Sequence, residues 1–272
     1  MSSRFRSIVR RISSAGVSLF LLVLPVLLVP GCASEVRAKR FTELLQRYPE
    51  TDAPLSMRQL TESTVLPIAG KDRAITVIVH PAYSLFFRDE RKSIYTAAKY
   101  DLLEYQLAAE ARFIIKMAKS GDPLILVLPG NYPKDSIAPR SYTMYLNSTT
   151  GGSPAVFYIL SETSHSGSIP LETTVLLHDL LRKSRVKTLL IGGGYIGRCQ
   201  KEFYSQLTTY VEDVSAFIVP EISSISPDDI STGEAEDILM SLHQKDFQPV
   251  AEFVDMKHRG SAEVRSLTSL SR

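Results

Sequence analysis

Thr188-Leu189-Leu190-Ile191-Gly192-Gly193-Gly194-Tyr195-Ile196-Gly197-Arg198-Cys199 is the stretch whose reading decides the fold. A short apolar, β-rich run enters three glycines, and a helical pattern takes over from about Gly197 to Tyr210. An apolar run without alternation suits a strand covered on both faces, as in a parallel sheet. Strand, glycine bend and helix are half of a strand–helix–strand unit. Ala216-Phe217-Ile218-Val219 supplies the strand that completes it.

The same alternation extends upstream. Ala74-Ile75-Thr76-Val77-Ile78-Val79 predicts a first strand, and a helix follows from about Ser93 to Lys119 with Leu103, Leu107, Ala111, Ile114 and Ala118 on one face. Gly121-Asp122-Pro123 stops it. Leu124 to Leu128 and Ala155 to Leu160 predict the second and third strands, with a helix from Leu171 to Lys183 before the fourth. Residues 132–154 are long for a connection and hold either a functional flap or a short helix. Downstream, a helix from about Gly233 to His243 precedes a fraying, Ser-rich tail.

Strands alternating with helices predict an α/β domain over residues 72–245, a doubly wound, mainly parallel sheet with helices on both faces in three layers. In such sheets ligands bind beyond the carboxyl ends of the strands. The residues there are His80, Asn131, the bend with Gly193, Gly194, Tyr195, Arg198 and Cys199, Glu221, and the loop Ser161-Glu162-Thr163-Ser164-His165.

The amino terminus carries a different message. Arg4, Arg6, Arg10 and Arg11 precede an apolar run from Ala15 to Val29, broken by Pro25 and closed by Pro30-Gly31-Cys32. Basic start, apolar middle and small-residue exit make an export signal. The run is short for a spanning helix of roughly 20 apolar residues. Val29-Pro30-Gly31-Cys32 resembles the lipobox of bacterial lipoproteins. That resemblance implies cleavage after residue 31, acylation of Cys32 and a domain facing the periplasm or exterior, tethered to the cell or outer membrane by residues 32–71. Two or more acyl chains anchor stably where one does not.

Composition narrows the partners. The 272 residues are 44% hydrophobic and 22% charged, with a formal net charge of +2, part of it in the signal. A near-neutral mature chain argues against nucleic acid. Only two cysteines occur, so acylation of Cys32 leaves Cys199 as a single thiol. No His/Cys spacing points to a metal. Gly192, Gly194 and Gly197 spell a dinucleotide fingerprint, but too little chain follows for the usual unit, and no cofactor is expected.

At Cys199 the chemistry is concrete. A thiol in the first turn of a helix meets unpaired N–H groups and the positive end of the macrodipole, both of which favour thiolate. Arg198 adds to this if it faces the same way, and a glycine bend lets a carbonyl oxygen approach backbone donors. Read structurally instead, Cys199 is a small apolar residue packing the helix start.

From Leu176 to Asp229, and by topology from Ala74 to about Ile230, the chain resembles the isochorismatase-like cysteine hydrolases, the family of nicotinamidases and related amidohydrolases. Gly193 and Cys199 keep the family's spacing, while Ile196 replaces its hydroxyl residue. The resemblance implies a Cys199 nucleophile, with a partner base at the first strand exit and a lysine ahead of the third helix. His80 stands at the base position instead of Asp, and Ser161 to Ile169 contains no lysine and offers His165. Family members commonly self-associate, so a homo-oligomer is an expectation. Two readings from different classes stay open. One is a non-catalytic domain that binds a small molecule or envelope protein, favoured by the replaced positions. The other is a hydrolase of amide or similar C–N bonds using a Cys199/His80 pair.

Overall fold

The computed structural model describes residues 47–48, 51–68, 73–86, 95–132, 140–211 and 213–269. The export signal, Cys32 and the start of the tether lie outside the described residues.

Six parallel strands form one sheet: β1 (Arg58–Gln59), β2 (Ala74–Val79), β3 (Leu124–Leu128), β4 (Val156–Leu160), β5 (Thr188–Gly194) and β6 (Ser215–Ser224). Their order is β1-β4-β3-β2-β5-β6. The five strands expected from sequence are all present and parallel, β2 pairing with β5 from Ala74↔Thr188 to Val79↔Gly193. Because β2 has the chain's next strand on one side and β5 on the other, the strand order reverses between β2 and β5. A crevice is expected at their carboxyl ends.

The helices are α1 (Tyr83–Phe86), α2 (Ala97–Ser120), α3 (Arg140–Thr150), α4 (Leu171–Lys183), α5 (Cys199–Tyr210), α6 (Thr232–His243) and α7 (Gln248–His258). Alternate residues of β2 divide the core between two layers. Ile75, Val77 and Val79 join the cluster of Leu177, Leu181, Phe203 and Leu207 from α4 and α5. Ile78 joins Leu103, Leu107 and Ile114 of α2 and Tyr142 and Tyr145 of α3. Helices on both faces thus give the three-layer α/β fold.

One open alternative resolves to a short helix, and two segments depart from the expectation. Residues 132–154 contain α3, whose Ser, Thr and Tyr content is poor in strong helix formers but whose Tyr142, Tyr145 and Leu146 are buried. Arg58–Gln59, within the expected tether, extends the sheet by pairing with Phe157 and Tyr158. Residues 248–258, expected in a fraying tail, form α7, which buries Val250, Phe253 and Val254. Beyond it, Val264 bridges to Ile218 of β6.

Candidate functional site

β2 ends in His80, whose N–H bonds Val127 O at 2.8 Å and whose φ of +45° bends the chain out of the sheet. The imidazole is 1% exposed. Its Nε2 lies 3.0 Å from Ser161 Oγ, and that hydroxyl gives its one proton to Thr163 O at 2.7 Å. Ser161 therefore accepts from His80, which fixes the Nε2–H tautomer and leaves the basic lone pair on Nδ1. Nδ1 is buried without a hydrogen-bond partner among the described residues. Burial, with His165 adding to it, holds the imidazolium pKa down at about 3.

Aromatic rings close the crevice over His80. Tyr83 stacks on the imidazole with centroids 4.8 Å apart, and Tyr195 meets Tyr83 edge-on at 5.6 Å. Tyr83 Oη donates to Ser164 O at 2.6 Å, tying α1 to the loop after β4. The space left beside His80, Tyr83, Gln106, Glu110, Tyr195 and Ser224 is about 10 Å³. That is room for about one water and not for an organic substrate.

On the other side of the glycine bend, Cys199 opens α5. It is 4% exposed, and its Sγ donates to His165 O at 3.4 Å. Burial pushes the thiol pKa up to about 11, helped by the Glu202 carboxylate and opposed more weakly by Arg198. The helix-start effect expected from sequence is outweighed by desolvation. The loop after β4 presses on this residue. A Cβ on Gly167 would fall 1.7 Å from Cys199 O, and Glu202 accepts from Ser166 Oγ and Gly167 N, both at 2.8 Å.

The structure gathers His80, Ser161, Tyr83, Tyr195 and Gly194 at the switch point, and sets Cys199 against the backbone of His165. It does not join the two halves by a hydrogen bond: His80 Nε2 is engaged with Ser161, and Cys199 with a carbonyl. His165 is exposed and reaches the thiol through its main chain. Arg198 turns away and grips Asp229 bidentately at 3.0 and 2.6 Å, which raises its own pKa. Gly193, with φ of +85°, brings β5 so close to β2 that a Cβ would lie 2.0 Å from Val79 O. Gly192 to Gly194 thus belong to the strand, not to a phosphate-cradling turn. The Gly194–Tyr195 peptide is cis.

Two other sequence candidates stand elsewhere. Asn131 is exposed in the turn after β3. Glu221 lies within β6, which runs on to Ser224. Its carboxylate accepts from Ser266 Oγ and from Leu267 N, pinning the carboxy-terminal segment.

Glu110 of α2 was missed in the sequence. It accepts from Ala82 N at 2.8 Å and Tyr145 Oη at 2.7 Å, and burial raises its pKa to about 7, against the pull of those two bonds. The available signal was an acid three residues after Leu107, on the inward stripe of an apolar helix face. Tyr83 had no such signal, because its partner Ser164 lies 81 residues away.

No family model matches the chain, and no curated protein matches it. Solved structures similar to it include the nicotinamidase SaPncA from Staphylococcus aureus, at 15% identity and a TM-score of 0.42 over 72% of this chain and 100% of that one. The YcaC gene product of Escherichia coli, an octameric hydrolase of unknown specificity, is 12% identical with a TM-score of 0.42 over 77% and 82% of the two chains. MAR1 ribonuclease from Caenorhabditis elegans is 11% identical with a TM-score of 0.44 over 76% and 82%.

Proposed function

We propose that this chain is a membrane-tethered cell-envelope lipoprotein whose isochorismatase-like domain binds a ligand or protein partner and does not use Cys199 for hydrolysis. The observation that carries the non-catalytic part is the placement of the thiol: Cys199 is buried and hydrogen-bonded to His165 O, and burial pushes its pKa up to about 11. A nucleophilic cysteine needs a thiolate or an adjacent base. His80 supports the same conclusion, since its Nε2–H is committed to Ser161 and its crevice is filled by Tyr83 and Tyr195. The lipid tether rests on the order of basic residues, apolar run and Val29-Pro30-Gly31-Cys32. Among the described residues no helix is long and apolar enough to cross a membrane.

The test is alkylation of the native protein with iodoacetamide near neutral pH, with and without His80→Ala. The proposal expects slow labelling of Cys199 until the protein unfolds, and no dependence on an activating imidazole. Fast labelling that slows markedly in His80→Ala would instead establish the cysteine-hydrolase pair.

A further inference from the structure

A helix on the outside of a three-layer domain normally turns a polar face to water. α4 buries Thr174, Leu177, Leu180 and Leu181 inward. Its outer face nevertheless carries Leu171 and Val175, one turn apart and 60% and 54% exposed. Beside them the chain following β1 is held against the same layer, because Leu60 and Leu66 pack in one core with Leu177 and Leu181. Between helix and chain runs a groove of about 660 Å³, floored by Leu171, Val175 and Leu176 and edged by Glu62, Glu172 and Asp179. Lys183 at the far end is the one basic residue lining it among the described residues. Asp179 is shared with Arg182 at 3.4 Å and His178 at 3.8 Å. Glu62 and Glu172 have no ion-pair partner among the described residues.

We propose that this groove docks a basic amphipathic helix of a partner protein, an inference that rests on the partner-binding reading above and names the partner's chemistry. An apolar floor with an acidic edge complements a helix with apolar anchors at three- and four-residue spacing flanked by Lys or Arg. α4 spans 13 residues, about 20 Å, which matches three to four turns of such a helix. A second copy is the poorer occupant, since a two-fold contact of this patch with itself crowds the Glu62, Glu172 and Asp179 carboxylates of both copies into one interface. Arg47 and Tyr48, which precede β1, are also ill placed to fill the groove. Arg47 pairs with Glu104 of α2 and Tyr48 packs on Tyr145 of α3, in the opposite layer.

The test uses the full-length lipoprotein in nanodiscs of zwitterionic lipid, with empty nanodiscs as the blank. The probe is a fluorescent synthetic helix of about 14 residues, with leucines at three- and four-residue spacing and lysines between them. Saturable binding is expected. Leu171→Ser with Val175→Ser should weaken it about tenfold, as should Glu172→Lys with Asp179→Lys, and a leucine/glutamate helix of the same pattern should not bind. Equal binding of both helices, or no effect of either pair of substitutions, overturns the proposal. So does a dimer in sedimentation that Val175→Ser dissolves, which would make a second copy the occupant. A reactive Cys199 would overturn the non-catalytic reading and leave this result untouched, so the two failures are distinguishable.

Discussion

Cys199 Sγ donates to the backbone carbonyl oxygen of His165 at 3.4 Å, and the same loop turns Ser161 Oγ to His80 Nε2 at 3.0 Å. One loop thus occupies both halves of the pair that a cysteine hydrolase would join. The thiol proton is held by a neutral acceptor, and the imidazole presents a proton, not a lone pair, to its nearest hydroxyl. A carbonyl cannot take a proton at neutral pH, so this arrangement stabilises thiol over thiolate.

Glu202 is the clasp on that loop. Its Oε2 accepts from Ser166 Oγ and Gly167 N, and its charge pushes the Cys199 pKa upward. Glu202→Ala should therefore raise the alkylation rate of Cys199 several-fold by loosening the loop, with a stability loss of about 1 kcal/mol. Timed mass spectrometry of the alkylated protein reads the first quantity and thermal unfolding the second.

Backbone proximity sets a second expectation. A Cβ on Gly167 would collide with Cys199 O, whereas one on Gly233, inside α6, would meet nothing within 4 Å. Gly167→Ala should cost about 2 kcal/mol or more. Gly233→Ala should be neutral or stabilising, since alanine is the better helix former. Denaturant unfolding of the two variants side by side separates these outcomes.

Three buried groups give stability an opposed pH dependence. His80 and His258 have folded pKa values of about 3 and about 4 against an ordinary 6.5, burial being the first cause in each. Their stabilising contribution is complete above pH 6.5 and is lost as pH falls through the folded values. Glu110 runs the other way. Its folded pKa of about 7 lies above 4.5, so its contribution is complete below 4.5 and is lost as pH rises through 7. Glu110→Gln keeps an acceptor for Ala82 N and Tyr145 Oη, and should be more stable than the parent at pH 8 while matching it near pH 4.5. Glu110→Ala should instead lose about 2 kcal/mol or more at pH 5 by stranding both donors. Both ring nitrogens of His258 lack a partner among the described residues, so His258→Phe should flatten the acid limb between pH 6.5 and 4. Unfolding curves at several pH values test all three.

Most of the sheet was legible because Leu124 to Leu128 and Leu189 to Ile191 are continuous apolar runs, and Ile75 to Val79 is one broken only by the β-branched Thr76, and burial on both faces leaves no other use for them. β1 was not. Its two side chains are exposed, and it is held by pairing with β4, by Arg58 Nη2 on Pro154 O at 2.7 Å and by the guanidinium over the Phe157 ring. α7 left a fainter trace: Pro249 in the first turn, then Val250, Phe253 and Val254 at helical spacing between charges. Position at the strand ends was legible too, since His80, Gly194 and Tyr195 line one space there. What each side chain bonds was not, because the direction of an imidazole or a guanidinium depends on packing between segments distant in sequence. Arg198 shows this: Asp229 claims it from 31 residues away.

The tether makes its own prediction. If Cys32 is acylated and becomes the mature amino terminus, mass spectrometry of the membrane fraction will find no peptide preceding Cys32. An unmodified peptide spanning Gly31 and Cys32 in the mature protein would show that the signal is neither cut nor lipidated.

The central claim, a neutral buried thiol, is tested most directly by titrating the ultraviolet thiolate absorbance of the native protein against a Cys199→Ala blank. The account predicts no difference signal near neutral pH and its appearance only towards the thiol pKa of about 11. A full thiolate signal at pH 7 that disappears in His80→Ala would contradict it and identify an activated cysteine–histidine pair.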